Sequence, residues 1–336
     1  MRKRLLFLQK ASWQVTDLAH KPALRLPNFG GLGFAIGTAF SLVVGFWILM
    51  MILLPTSYMV DYSFRFDLPP GKIGGPEDVH TLENYRFLMF GPRGSTEGFV
   101  FFGHEIKANV LHLKVFFRTI VAAIFVTALN LAICYPVTFF MAQRATGGLA
   151  RLMILCLILP FWVNEILRAF AFRILLGSGG VVNTMLMEMG LIAEPFDFIR
   201  ADIALYSGLT YAYILLMVFP LYNALESLDR NQIEAARDLG APVWRIHWRV
   251  VIPHAKAGIA SGCTMVFMLT VGALAMPQIL GGPSNLWFTQ VIYDRFNTSL
   301  NWPLGAAYAF VLLVTCIVFV LLVMRLFRVN LGEIAK

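Results

Sequence analysis

Residues 304–324 read LGAAYAFVLLVTCIVFVLLVM, a run without a charged side chain. A helix rises about 1.5 Å per residue, so about 20 apolar residues cross a hydrocarbon core of about 30 Å. The chain contains five further apolar blocks of similar length. The sequence therefore predicts an all-α integral membrane protein with six transmembrane helices. These predicted helices cover 33–60, 116–141, 152–176, 203–225, 258–280 and 304–324.

The composition also favours a membrane protein. Of the 336 residues, 58% are hydrophobic and 14% are charged, whereas soluble domains contain about 25% charged residues. The long connection at 61–115 is rich in glycine and proline, and we expect it to be an irregular external loop. No linker with the composition of a domain boundary is apparent. One integral domain, 33–328, is expected between tails at 1–32 and 329–336.

The positive charge is concentrated on one side of the predicted helices. The formal net charge is +8, and basic residues cluster ahead of the first block, after the second, after the fourth and after the sixth. Because cytoplasmic loops carry an excess of lysine and arginine, both termini are predicted to be cytoplasmic. This distribution accounts for the charge without nucleic acid. The first block is longer than the core of a signal peptide, so the basic N-terminal segment is expected to be retained.

No catalytic or metal-binding pattern is present in the sequence. Neither the phosphate-binding motif GxxxxGK[ST] nor the zinc-binding motif HExxH occurs. The cysteines lie in apolar segments and form no CxxC pair, which predicts neither a disulfide framework nor a metal site. We therefore expect a chain that is not itself an enzyme and binds no cofactor. The four cysteines are Cys134, Cys156, Cys263 and Cys316.

Residues 234–253 read EAARDLGAPVWRIHWRVVIP and lie between the fourth and fifth predicted helices. The run from Glu234 to Leu239 consists mostly of good helix formers, and Gly240 can end a helix in the left-handed conformation. Pro242 suits the first turn of a second short helix. Apolar and basic residues interleave after it. Such a segment suits either docking on a protein or lying on anionic lipid.

This segment resembles the EAA loop of the permease subunits of ATP-binding-cassette (ABC) importers. The family pattern is Glu-Ala-Ala, three residues, Gly, nine residues, then Ile-x-Leu-Pro, and every spacing is kept here. Two positions differ, with Val250 in place of isoleucine and Ile252 in place of leucine. The resemblance implies the type I ABC importer permease fold and docking of this loop on an ATP-hydrolysing subunit, where Glu234 would pair with a basic group. The implied coupling residues are Glu234, Ala235, Ala236, Gly240 and Pro253.

Four further stretches resemble the polyamine-type permeases of this family. They occur in order along the chain and, with the EAA loop, reach from the third predicted helix to the sixth. The resemblance implies spermidine or putrescine as cargo, while importers of ferric iron, thiamine, opines or small amines share a similar pattern. The stretches are LPFWVNEILR at 159–168, GSGGVVN at 177–183, PQILGG at 277–282 and NWPLGAA at 301–307.

The resemblance also implies a location and partners. Such permeases act in the bacterial inner membrane with a dimer of ATPase subunits, which hold ATP and magnesium, and with an extracytoplasmic substrate-binding protein. A six-helix chain is too small to enclose a path alone, so a second permease chain, related or identical, is expected. The rival reading is a secondary transporter. That reading would leave the EAA spacing unexplained, and no internal repeat is detected.

Residues that could contact the cargo are few. A polyamine needs carboxylates, carbonyl oxygens or aromatic rings in place of water, and an ionisable residue within a transmembrane segment is a functional candidate. Glu165 meets this condition, although Arg168, three residues further along a helix, could neutralise it. For Asn130, Tyr211 and Tyr213, the alternative role is packing between helices. The candidates are Trp162, Asn164, Glu165, Asn130, Tyr211 and Tyr213.

Overall fold

The computed structural model describes most of the chain. The predicted tails fall outside the described residues, apart from Leu32 and Val329. The chain divides after Tyr58 into a small N-terminal unit and a larger second unit. The described residues are 32–72, 74–92, 98–101, 104–107, 109–145, 147–282 and 285–329.

Helices make up nearly all the regular structure of the described residues. The exception is an antiparallel hairpin of β1 (Gly98–Phe101) and β2 (His104–Lys107). The helices are α1 (Leu32–Ile48), α2 (Leu54–Ser63), α3 (Glu83–Phe90), α4 (Val110–Gln143), α5 (Gly148–Ile158), α6 (Glu165–Leu176), α7 (Val181–Glu188), α8 (Ile203–Glu226), α9 (Arg230–Asp238), α10 (Val243–Ile246), α11 (Ile252–Gly272), α12 (Ala275–Leu280), α13 (Phe288–Asn297) and α14 (Trp302–Phe327). Short π-helical turns occupy Leu49–Leu53 and His247–Val251, and 3-10 turns occupy Pro70–Lys72 and Leu159–Trp162.

Within the described residues, six helical stretches are long and apolar enough to cross a membrane. The predicted number of transmembrane helices is therefore confirmed. The fourth and fifth stretches are the most deeply buried within the chain. The six stretches are Ala35–Ser63, Val110–Gln143, Glu165–Glu188, Ile203–Glu226, Val243–Gly272 and Trp302–Phe327.

The core of the larger unit is centred on α8, which packs against α11 and α4. Gly258 of α11 lies directly on α8, because a Cβ atom at this position would be 2.5 Å from the carbonyl oxygen of Pro220. Gly262, one turn further along, faces Met217, and a Cβ atom there would be 2.7 Å from Sδ. Small residues allow helix backbones to approach closely in a membrane protein. The two glycines therefore set the distance between α8 and α11.

The third predicted helix, 152–176, is interrupted, so the prediction of one continuous helix is wrong. A 3-10 turn containing Pro160 follows α5, and Val163 is extended with ψ 132°. Proline lacks the N–H that a continuing helix needs. Asn164 then caps α6, because its side chain accepts a hydrogen bond from the N–H two residues later (2.8 Å).

The fifth predicted helix, 258–280, begins much earlier and ends earlier than expected. The observed helical stretch starts at Val243, inside the segment predicted as a loop. A π-helical turn directly precedes Pro253, so the helical path passes the missing N–H without a break. In a continuous helix Pro277 would clash with the carbonyl group of Ala273. Ala273 is instead extended (ψ 133°), and α12 is a separate helix.

The described part of the 61–115 segment contains regular structure, so the prediction of a wholly irregular loop is wrong. It includes α3 and the β1–β2 hairpin. Arg65 binds the carboxylates of Asp61 (2.7 Å) and Asp78 (2.5 Å). The amide of Asn84 donates to the backbone oxygen of Arg65 (2.8 Å). These contacts fold the segment back onto the end of α2.

Candidate functional site

The EAA loop (226–257) contains two short helices, α9 and α10, joined by a tight turn. Asp229 caps α9, because its Oδ1 accepts a hydrogen bond from the N–H two residues later (3.0 Å). Gly240 is left-handed, with φ 75°. The N–H of Ala241 donates to the carbonyl oxygen of Ala236 (3.1 Å), which satisfies the end of the helix. The predicted helix end at Gly240 is confirmed.

One side of the EAA loop is buried and the other is exposed. Ile233 and Ile246 are buried and hold α9 and α10 against the rest of the larger unit. Glu234 is exposed, and Leu239, in the turn after α9, is 88% exposed. Val243, Trp244 and Trp248 of the same loop are also more than 60% exposed, and a group of exposed large apolar side chains is typical of an interaction surface. The exposed side of the loop is therefore a candidate docking surface.

The predicted coupling residues occupy two places in this loop. Glu234, Ala235 and Gly240 are exposed on α9 and its turn, and Ala236 is half-buried beside them. Pro253 is exposed in the first turn of α11. The helical stretch that contains Pro253 begins at Val243, three positions after Gly240. The turn is therefore adjacent along the chain to the fifth span.

Contacts from α4 hold the EAA loop in position. The hydroxyl of Tyr135 lies 2.7 Å from Nδ1 of His247, and the ring of Phe139 packs edge-on against the same imidazole with 4.6 Å between ring centres. The Nε2 of Gln143 donates to two carbonyl oxygens, at the end of α8 and in the loop (2.7 and 3.1 Å). Sequence reasoning missed the three residues of α4. Their partners are between 82 and 112 positions away along the chain, and no motif marks them.

The third predicted helix is broken between α5 and α6, and this third-span break places a carboxylate beside a phenol. Glu165 is half-buried in the first turn of α6, and its Oε1 accepts a hydrogen bond from the hydroxyl of Tyr213 (3.2 Å). A carboxylate is favoured at this end of a helix by the helix dipole. Trp162, in the preceding turn, is 80% exposed, and Asn164 caps the helix. Four of the six residues predicted to contact the cargo, Trp162, Asn164, Glu165 and Tyr213, therefore lie in this one region.

Arg168 does not form an ion pair with Glu165, so the expected neutralisation by direct contact is wrong. Its Nη1 donates to the carbonyl oxygen of Ala212 (3.4 Å), and its guanidinium lies 5.5 Å from the ring centre of Phe161. Its Nε is buried and has no hydrogen-bond partner among the described residues. The Glu165 carboxylate therefore keeps acceptor capacity that Arg168 does not occupy.

Asn130 and Tyr211 do not join that region. Asn130 is fully buried in α4, where its amide donates to the carbonyl oxygen of Val126 in the same helix (3.1 Å) and its Oδ1 has no hydrogen-bond partner among the described residues. The ring of Tyr211 packs on that of Phe172 at 5.3 Å between centres. Tyr211 also lines, with Arg168, a small cavity of about 100 Å³. The six candidates therefore do not form one continuous site.

Among the described residues, no group of three or more His, Cys, Asp or Glu side chains could hold a metal ion. The four cysteines are free thiols. The described residues therefore present two candidate functional regions, a docking surface on the EAA loop and a polar break between α5 and α6.

Comparison with known proteins identifies the family. The family model of the binding-protein-dependent transport system inner membrane component matches residues 32–329. The spermidine/putrescine transport system permease protein PotB of Haemophilus influenzae is 31% identical over 261 residues, covering 78% of this chain and 83% of the relative. PotB of Escherichia coli is 31% identical over 267 residues, covering 79% of this chain and 88% of the relative.

A solved structure shares the fold. The chain is similar to one in the crystal structure of a bacterial alginate ABC transporter in complex with an alginate pentasaccharide-bound periplasmic protein, with a TM-score of 0.68. The match covers 91% of this chain and 99% of that chain at 14% identity, and it therefore shows the fold alone. The family assignment depends on the family model and on the two relatives above 30% identity. This chain belongs to the family of binding-protein-dependent transport system inner membrane components.

Proposed function

We propose that this chain is the permease subunit of an ABC importer that carries polyamines such as spermidine and putrescine. The main support for the proposal is the similarity to two PotB permeases, which are 31% identical over 78% and 79% of this chain. Their names assign them to spermidine/putrescine transport. Another cargo of the same importer class, such as ferric iron, thiamine, an opine or another small amine, is the alternative.

The proposed orientation places both termini and the EAA loop in the cytoplasm. Basic residues are concentrated at those positions in the sequence, which supports this orientation by the positive-inside rule. The 61–115 segment would then face the opposite side. There it would contribute to the surface on which a cargo-loaded binding protein docks.

In this function the EAA loop transmits the movement of an ATPase. The exposed side of α9, with Glu234 and Leu239, would enter a cleft on the ATPase subunit, and Glu234 would pair with a basic group there. ATP and magnesium would bind to that partner. Because the loop joins α8 to α11, the two closely packed core helices, closure of an ATPase dimer would move both of them.

The third-span break supplies groups that suit an amine cargo. The carboxylate of Glu165 can accept hydrogen bonds from an ammonium group, and the exposed ring of Trp162 offers a cation–π surface. The hydroxyl of Tyr213 orients that carboxylate. Such groups replace part of the water that a polycation loses inside a membrane protein.

A second permease chain would complete the path. In the proposed cycle the binding protein delivers its cargo on the external side, and the two permease chains open alternately to either side. The polyamine resemblance favours a related second chain over an identical copy.

The test is ATP hydrolysis by the purified complex in lipid, with its binding protein and either spermidine or putrescine. We expect the polyamine to stimulate hydrolysis, and Glu234→Ala to abolish the stimulation. Glu226→Ala is the matched control, because Glu226 is also an exposed glutamate of the EAA loop but lies outside α9 and its turn.

The outcomes separate the parts of the proposal. If a binding protein loaded with another cargo stimulates ATP hydrolysis and one loaded with polyamine does not, the chain is still an importer permease but polyamine is not its cargo. Stimulation that survives Glu234→Ala would reject the coupling role of that residue.

A further inference from the structure

A polar pocket of about 300 Å³ lies where the end of α4 meets α9. We name it the arginine pocket, because Arg144, Arg230 and Arg237 line it. Glu234 is the acidic residue of the lining, so the charged groups leave a net charge of +2. In the described part of the chain, none of these four side chains takes part in an ion pair. The pocket is therefore an uncompensated cationic site.

The apolar block of α4 ends next to the pocket, which indicates that the pocket lies at the depth of lipid headgroups. α4 has 34 residues, about 50 Å of helix, which exceeds the hydrocarbon core by about 20 Å. Gln143 and Arg144 are the first polar positions after the apolar block that ends at Met141. Trp244 and Trp248, on the neighbouring segment, are 62% and 66% exposed. Exposed tryptophans are enriched at the level of the headgroups.

The walls of the pocket are fixed by contacts that do not involve the arginines. Gln143 is tied through its amide to the carbonyl oxygens of Leu225 (2.7 Å) and Leu228 (3.1 Å). Phe139 packs against His247. The end of α4, the end of α8 and the EAA loop therefore keep their positions without a ligand. An anion that enters this site would meet a preformed wall.

The electrostatics favour an anion at this place. Arg230 is the first residue of α9, where the helix dipole disfavours a cation. A phosphate between Arg230 and Arg144 would remove that repulsion and accept paired hydrogen bonds from the planar guanidinium groups. Glu234 reduces the positive potential without cancelling it.

We propose that the arginine pocket binds the phosphate of an anionic lipid headgroup and thereby links the end of α4 to α9. The assignment of this lipid to the cytoplasmic leaflet rests on the orientation given in the proposed function. Basic pockets at the cytoplasmic ends of membrane helices attract anionic headgroups. A lipid is favoured over an acidic group of a protein partner because the site opens at headgroup depth beside exposed tryptophans. A bound headgroup would steady α9 before an ATPase subunit docks.

The test is lipid retention by the purified complex, measured by native mass spectrometry after incubation with phosphatidylglycerol or phosphatidylcholine. We expect the wild-type complex to retain more phosphatidylglycerol than phosphatidylcholine. Arg144→Gln, which lies outside the EAA loop, is expected to weaken that retention about fivefold, the effect of one basic residue near an anionic surface. Arg151→Gln is the matched control, because Arg151 is exposed in the first turn of α5, seven positions from Arg144, but does not line the pocket. It is expected to retain phosphatidylglycerol as wild type does.

Four results would overturn the proposal. The first is equal retention of both lipids, and the second is an equal loss in the Arg144 and Arg151 variants. The third is displacement of phosphatidylglycerol by millimolar inorganic phosphate, which would assign the site to a soluble anion. Loss of the ATPase subunit from the Arg144 variant at unchanged lipid retention would likewise show that a protein carboxylate is the occupant. Lipid retention does not depend on cargo, so these results are independent of whether polyamine stimulates ATP hydrolysis.

Discussion

The hydroxyl of Tyr135 lies 2.7 Å from Nδ1 of His247, and this contact joins α4 to the π-helical turn that leads into the fifth span. The two residues are 112 positions apart along the chain. The π-helical turn precedes Pro253, one of the predicted coupling residues. The contact therefore ties the second span to the segment through which movement of the EAA loop would pass.

Tyr135→Phe should loosen this connection without removing the ring. The loss of one hydrogen bond costs about 1 kcal/mol, and we expect less transport per ATP hydrolysed together with higher hydrolysis in the absence of cargo. Tyr222→Phe is the control, since the hydroxyl of Tyr222 makes an exposed contact with Glu226 at 3.3 Å. Transport and hydrolysis measured on the same proteoliposomes test the prediction. Equal uncoupling in both variants would show that the His247 contact has no special role.

Gly258→Ala should disrupt the packing of α8 against α11. The added methyl group would be 2.5 Å from the carbonyl oxygen of Pro220, and overpacking of this kind costs about 1–3 kcal/mol. Gly272→Ala is the matched control, because no atom lies within 4 Å of a Cβ atom at that position. Thermal unfolding in lipid should show a lower midpoint for the first variant alone. An unchanged midpoint in Gly258→Ala would contradict the close approach of these helices.

Gln143→Met should destabilise the junction between α4, α8 and the EAA loop. It leaves the carbonyl oxygen of Leu228 without its donor, whereas that of Leu225 keeps the N–H of Leu228 (3.3 Å). An unpaired buried acceptor costs about 1–3 kcal/mol. Gln232→Met makes the same chemical change at an exposed position of α9. The free energy of unfolding should fall in the first variant and stay the same in the second. A similar stability for both variants would mean that water satisfies the Leu228 carbonyl group.

Glu165→Gln should weaken the response to polyamine if the third-span break contacts the cargo. The amide keeps the shape of the side chain and a hydrogen-bond acceptor for Tyr213, but it loses the charge that attracts an ammonium group. We expect the polyamine concentration for half-maximal stimulation of ATP hydrolysis to rise about tenfold, with little change in unstimulated hydrolysis. Glu188→Gln, at an exposed position on α7, is the control. A wild-type response in Glu165→Gln would remove this residue from the path.

The apolar blocks predicted the number of membrane spans because hydropathy and length suffice for that decision. They did not predict how each span is built. Pro160 lies within an uninterrupted apolar run, where a proline is compatible with either a kink or a complete break. The structure has a break, and Asn164 stabilises it as a cap, although the sequence alone offers the same asparagine as a cargo contact.

The EAA loop was predictable only where local sequence decides the structure. Gly240 ends α9 as expected, because only local conformation decides that point. The contacts of Tyr135 and Gln143 were not predictable, since they depend on which helices lie next to each other in space. Arg168 shows the same limit, because it could pair with Glu165 three residues away in α6 but instead contacts the carbonyl oxygen of Ala212 on α8.

The position of Gly258 has a mechanical consequence for the fifth span. It lies almost at the middle of Val243–Gly272, a helical rod of 30 residues and about 45 Å. The contact with Pro220 prevents the rod from moving closer to α8 there, so a tilt of the rod would turn about this point. A rod that tilts about its midpoint moves its two ends in opposite directions, and a rotation of about 10° carries each end through about 4 Å. A pull at Val243 would then move the other end of the fifth span, at Gly272, in the opposite direction.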